Sequence, residues 1–173
     1  MIVEPMTLEE RSWLHSAYET AALFSDDKRT RVGAVLIDSN GSVIVNGANA
    51  FPKGVKVTPE RLAEKHNFIL HAEEQLLLTA AYFGRATEGT LLVCNWAACT
   101  RCARQIIEAG VAEVVTHQDF EDVYRKQSPS SRWLRDCELA YEMFREAGVS
   151  LRKVSGKIGG GLTAVTYGFR WAP

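Results

Sequence analysis

Two short motifs constrain this chain more than anything else in its 173 residues: His71-Ala72-Glu73 and Cys99-Thr100-Arg101-Cys102, each at the head of a predicted helix. Residues at i and i+3 share a helix face, so Cys99 and Cys102 can turn both sulfurs toward one ion. The positive end of a helix also lowers a thiol's pKa and favours the thiolate that a metal needs. Two helix starts packed side by side over a sheet would bring His71 to the same point. Three nitrogen and sulfur ligands suit zinc, and they leave its fourth tetrahedral position to water, the mark of a catalytic site. Zinc can lower the pKa of that water to about 7. Glu73 falls outside the usual ligand set, yet it lies within reach of the same water.

The segments around these motifs supply such a frame. Thr7 to Glu10 reads as a capping box, opening a helix with Leu14, Ala17, Tyr18, Ala21 and Phe24 on one face. Val32 to Asp38 and Ser42 to Gly47 are β-rich runs joined through Asn40-Gly41, a strong hairpin signal. A long surface loop follows from Ala48 to Lys65, with a helical turn near Pro59. Then come a helix from Glu73 to Phe83, a strand from Thr90 to Cys94 and a helix from Thr100 to Ala109 that ends at Gly110. A strand over Glu113 to Thr116, a helix over Ser131 to Ala147 ending at Gly148, and a strand over Val149 to Val154 complete the alternation. After Gly159-Gly160-Gly161, LTAVTYGF reads as an edge strand. Helices alternating with strands after an initial hairpin predict an α/β sandwich with a mixed sheet. No linker or repeat divides the chain, so residues 1–173 are read as one domain.

Composition narrows the partners. A net charge of −1 and a pI of 6.4 offer no broad attraction for a phosphate polymer, which argues against nucleic acid. No basic and apolar leader opens the sequence, and no stretch is long and apolar enough to cross a bilayer. Four cysteines are too few for a disulfide scaffold, so the reading is a cytoplasmic protein.

The order H-x-E and then C-x-x-C is the signature of zinc nucleobase deaminases. Across most of residues 10 to 154 the sequence resembles the cytidine and deoxycytidylate deaminase superfamily, and within it the deoxycytidylate deaminases. The resemblance is carried by SDDKRTRVGAVLID, the GANAFPKG loop, KHNFILHAEE, CTRCARQIIEAGV and AYEMFREAGVSLRK. Three features depart from the family pattern. Ala98 stands where proline usually precedes the first cysteine, HAE continues as Glu74-Gln75-Leu76, and the Asn49 loop lacks the usual tyrosine and one glycine. Family members often bind a regulatory triphosphate through that loop region, so the resemblance does not carry this regulation across.

The resemblance implies a three-layer α/β/α sandwich with a central mixed sheet of about five strands. It implies hydrolytic deamination of a cytosine nucleotide, dCMP to dUMP, with zinc on His71, Cys99 and Cys102. Glu73 would take a proton from the attacking water and pass it to N3 of the base and then to the departing amine. Asn49 would meet the sugar, and the backbone N–H of Ala72 the reacting centre. A cation among Arg29, Arg31 and Lys53 would meet the 5′-phosphate, with Tyr124, in the loop after His117, closing over the substrate. A homo-oligomer, dimer or hexamer, is the assembly such proteins form. Three alternatives stay open at this point: a deaminase of a free or modified pyrimidine nucleoside or nucleotide, a nucleic-acid-editing deaminase, and a structural zinc module with Cys94 as fourth ligand.

Overall fold

The computed structural model describes residues 2–129 and 132–173. Thr7 and Glu10 satisfy each other's free donors, at 3.1 Å to the Thr7 hydroxyl and 2.7 Å to the Glu10 carboxylate. They open helix α1 (Leu8–Phe24), which buries Leu14, Ala17, Tyr18 and Ala21. Phe24, expected on the same face, is 60% exposed because the helix ends there, with Ser25 as its C-cap.

Strands β2 (Gly33–Ile37) and β3 (Val43–Ala48) form the expected antiparallel hairpin. The long loop that follows carries a short helix, α2 (Pro59–Ala63), and a 3₁₀ turn over Lys65–Asn67. Helix α3 (Ala72–Tyr82), β4 (Leu91–Cys94), α4 (Thr100–Glu108) and β5 (Glu113–His117) come next. Then follow α5 (Gln118–Gln127), α6 (Arg132–Ala147) and β6 (Ser150–Ser155). Ser131, where the sequence reading starts its last helix, lies outside the described residues. Helix α5 is a departure, since the sequence reading left Tyr124 in a loop. Its residues QDFEDVYRKQ are mostly polar and follow β5 without any turn residue to mark the change.

With β1 (Val3–Pro5) included, the sheet is mixed and six-stranded, in the order β1-β6-β5-β4-β2-β3. The strand beyond the expected five is β1, which lies parallel on the β6 edge. Its side chains are all exposed, so no burial pattern announced it.

Two glycines set the layers. In the hairpin register Gly33 faces Ala48 and Ala34 faces Gly47, so the two glycines point to opposite sides of the sheet. A Cβ on Gly33 would stand 2.0 Å from the Ala17 carbonyl oxygen of α1, and one on Gly47 2.6 Å from that of Ala72 at the head of α3. Helix α1 is thereby seated against one face and the start of α3 against the other, where α4 and then α6 pack beside it. This is the three-layer α/β/α sandwich, and it places the heads of α3 and α4 next to each other.

The tail departs from the expected edge strand. Strands β7 (Ala164–Thr166) and β8 (Phe169–Trp171) pair only with each other. Tyr167 and Gly168, at φ 51° and 86°, turn the chain back in two residues, the type I′ pattern of tight hairpins. The hairpin is pinned to the strand entry. Arg31 N donates to Val165 O at 2.9 Å, Gly168 N to Arg29 O at 2.6 Å, and Tyr167 N to the Thr30 hydroxyl at 3.1 Å. No helix among the described residues is long and apolar enough to cross a membrane.

Candidate metal centre and cavity

His71 is the N-cap of α3, and Cys99 is the N-cap of α4 with Cys102 one turn on. His71 Nδ1 lies 3.4 Å from Cys99 Sγ and 3.3 Å from Cys102 Sγ, and the two sulfurs are 3.6 Å apart. Zinc bonds of about 2.3 Å to sulfur and 2.0–2.1 Å to nitrogen, at tetrahedral angles, would set these edges near ~3.8 Å and ~3.5 Å. The triangle therefore fits one face of a zinc tetrahedron with little movement. Among the described residues this is the group of His, Cys and acidic side chains able to hold a metal ion. Cys94, the fourth ligand of a structural zinc module, stands outside it as a buried core residue at the end of β4. Cys137 is likewise buried in α6.

The three side chains shift one another's protons unequally. The hydrogen bond between the Cys99 and Cys102 sulfurs holds the Cys99 thiol down at about 4 despite burial, with His71 adding to the effect. That same bond, with burial, pushes Cys102 up. Burial works to lower the His71 pKa, but the bond to Cys99 and the nearby Glu73 charge outweigh it and leave it raised. Glu73 is buried, and loss of hydration pushes its carboxyl up to about 7; the His71 charge opposes this and Cys99 adds to it. Glu73 is not part of the ligand group.

The next carboxylate has a different task. Glu74 Oε1 accepts from Arg101 Nη2 at 2.6 Å and from Gln105 Nε2 at 3.2 Å, while its other oxygen takes the His71 backbone N–H at 3.4 Å. It ties the head of α3 to the first turns of α4, so the ligand-bearing ends are held together by protein as well as by any ion. Sequence reasoning passed over Glu74. Its place three residues after His71, the spacing of a capping box, was the signal.

A cavity of about 280 Å³ opens beside these residues, near the lower end for small-molecule sites. Glu73, His71 and Ala72 line it, as do Asn49, Arg29 and Tyr124. Tyr124 reaches it from α5 rather than from a loop. Arg31 and Lys53 do not line it. Arg31 turns its guanidinium back to the Ala22 carbonyl at the end of α1, and Lys53 sits over the Tyr82 ring on the outer side of α3. Lys65 does line it, paired with Asp27 at 2.5 Å, beside His66. Nothing local distinguished Lys65 from the other charges of the loop.

Asn49 is buried and mostly engaged within the fold. Its Oδ1 accepts from Val32 N at 2.9 Å and from the Ser25 hydroxyl at 2.7 Å, and its Nδ2 donates to Thr30 O at 2.8 Å. One Nδ2 hydrogen remains for a ligand. Trp96 and Trp133 form the apolar wall, 4.8 Å apart, and the Trp133 ring stands 5.4 Å from that of His71. His117 is buried at the end of β5 against the Tyr18 hydroxyl at 2.7 Å.

The model of the cytidine and deoxycytidylate deaminase zinc-binding region matches residues 8–118. The chain belongs to this family. An uncharacterized deaminase from the luxG 3′ region of Aliivibrio fischeri is 31% identical over 144 residues, covering 80% of this chain and 91% of that protein. Human deoxycytidylate deaminase is 25% identical over 137 residues, covering 75% and 70%. The dCMP deaminase of cyanophage S-TIM5, solved in apo form, shares the fold with a TM-score of 0.63 at 24% identity, over 86% of this chain and 99% of that one. The deaminase described here is thus a zinc-dependent hydrolase of the deoxycytidylate deaminase-like group, with the cytidine deaminase-like sandwich.

Proposed function

We propose that this deaminase hydrolyses dCMP to dUMP and ammonia, with zinc held by His71, Cys99 and Cys102 and protons carried by Glu73. One observation carries the reading. A single cavity has His71 of the ligand triangle and the buried carboxylate of Glu73 among its lining, and the cations Arg29 and Lys65 as well, which suits a base joined to a phosphate. The relatives named deoxycytidylate deaminase support the same choice.

When bound at the triangle, zinc supplies a water acidified toward neutral pH. Glu73 takes one proton from the attacking water and delivers it to N3 of the cytosine ring as the oxygen adds to C4. It then carries the second proton to the exocyclic amine, which leaves as ammonia when the C4–N bond breaks. A carboxyl with a pKa near 7 is poised for both directions of transfer. The Ala72 N–H, in the first turn of α3, has no partner within the helix and is available to the reacting centre. The remaining Nδ2 hydrogen of Asn49 serves a sugar hydroxyl, and the aromatic wall packs against the base. Arg29 meets the 5′-phosphate. Arg31 and Lys53 drop out of that role because their side chains are engaged elsewhere. The assembly that goes with this reading is a homo-oligomer, which light scattering would test.

The deciding experiment measures ammonia release from a panel of cytosine nucleosides, mono-, di- and triphosphates. Turnover with dCMP, and at least about a hundredfold lower kcat/KM for deoxycytidine, is the expected result. Equal kcat/KM for nucleoside and nucleotide would replace the reading with a nucleoside deaminase.

A further inference from the structure

Tyr167 occupies a position that its own backbone disfavours. A type I′ turn needs positive φ at both central residues, which is why Asn-Gly and Gly-Gly dominate there. Here a bulky aromatic stands first, at φ 51°, a conformation uncommon for residues with a side chain of this size. Such local strain persists only where the surroundings hold it. The surroundings do so here: the Tyr167 N–H is bound to the Thr30 hydroxyl, and the next residue is bound to the Arg29 carbonyl.

The result is a specific placement. The Tyr167 ring lines the cavity, and the Arg29 guanidinium carbon lies 4.8 Å over its centroid. A sequence of rings leads from there to the metal centre. Tyr167 contacts Tyr124 at 5.9 Å, Tyr124 contacts Trp96 at 4.6 Å, Trp96 contacts Trp133 at 4.8 Å, and Trp133 meets His71. The wall therefore has the ligand triangle at one end and a ring-backed cation at the other. Residues 164–171 lie outside the segment that matches the family, so the ring behind Arg29 comes from a part of the chain the family region does not contain, whereas Arg29 itself lies within it.

We propose that Tyr167 is a positioning residue for the phosphate of the substrate, its ring face holding the Arg29 guanidinium toward the cavity. The C-terminal hairpin then sets the preference for a nucleotide over a nucleoside. This deepens the nucleotide reading above and rests on it. Arg29 is a long, flexible chain, and a phosphate contact made by it loses less freedom when the guanidinium is already stacked. The hydroxyl of Tyr167 is not needed for this, only the ring.

The test compares wild type with Tyr167→Asn, Tyr167→Phe and Arg29→Ala. Calorimetry gives Kd for dCMP and for deoxycytidine in zinc-loaded protein, alongside kcat, KM and Tm. Tyr167→Asn places the favoured Asn-Gly pair in the turn, so its Tm is expected at or above wild type. Its dCMP Kd is expected to rise about three- to thirtyfold, the range of a cation–π contact, with deoxycytidine Kd and kcat within about twofold of wild type. Tyr167→Phe should match wild type, and Arg29→Ala should lose dCMP affinity at least as strongly as Tyr167→Asn. An unchanged dCMP Kd in Tyr167→Asn, or an equal loss for both ligands, overturns the proposal. A wild-type protein that binds dCMP without deaminating it would overturn the reaction assigned above, while the Kd ratio still decides the role of Tyr167. A wild type that binds no dCMP overturns both.

Discussion

Adjacent glutamates at the head of α3 do opposite work because their surroundings differ. Glu74 is bound to Arg101 and Gln105, and although burial works against it, these partners keep its carboxyl ionised and structural. Glu73 has burial as its dominant influence and stands near 7. Glu73→Gln should keep zinc, by metal analysis, while turnover falls by at least about 10²–10⁴-fold; substantial residual activity would remove Glu73 from the proton path. The same residue affects stability in chelator-treated protein. Its folded pKa lies above the unfolded value, so its contribution is fully present below about pH 4.5 and is lost as pH rises through about 7. Metal-stripped Glu73→Gln should therefore melt higher than metal-stripped wild type at pH 8, and the gap should close below pH 5. A gap that widens toward acid would show the sign to be wrong. Substituting Glu74 by Ala should instead act on the metal. Loss of the tie to the His71 N–H and to Arg101 is expected to weaken zinc affinity about 10- to 100-fold, measured by competition with a chelating dye.

At the level of elements, the close seating of helices on the hairpin is the most sensitive point. A methyl on Gly33 would collide with the backbone of α1, which cannot yield as a side-chain tip can. Gly33→Ala should cost about 3 kcal/mol or more in urea unfolding, at the upper end for overpacking. Thr7→Ala, which removes half of a capping box, should cost about 1 kcal/mol. Comparable losses from the two would mean that α1 can lift from the sheet. The elements legible in the sequence are those with a periodic apolar face or a turn pair at the end: α1, the β2–β3 hairpin, α3, α4, α6 and the inner strands. What escaped has a physical reason in each case. The β1 strand buries no side chain, and its pairing partner β6 lies almost the whole chain away. Helix α5 offers little more than Phe120, Val123 and Tyr124 as an apolar face. The β7–β8 turn uses Tyr-Gly where Asn-Gly would have been recognised. The grouping of His71, Cys99 and Cys102 was readable because short-range spacing sets its geometry. Tyr167, Lys65 and Trp133 reach the cavity through tertiary packing, which no local pattern encodes.

For the whole molecule, the metal and the ligand are coupled to the fold. His71 and the two cysteines come from helices whose heads are otherwise joined by the Glu74 contacts. Zinc bound at a thousand times its Kd would add about 4 kcal/mol to stability. Chelation should accordingly lower Tm, and readdition of zinc should restore it; a Tm indifferent to zinc would mean that the triangle holds no ion. The mildly acidic whole also sets an expectation for polymers. Single-stranded DNA should bind weakly or not at all at physiological salt, and tight, steeply salt-dependent binding would revive the editing alternative.

The group able to hold a metal ion is encoded between residues 71 and 102, while the hairpin proposed to hold Arg29 in place lies far downstream. These two stretches can therefore change independently. Alterations in the hairpin can redirect which molecules are accepted without disturbing the bond-breaking apparatus, and the molecule is in that sense an interchangeable fitting on a fixed tool.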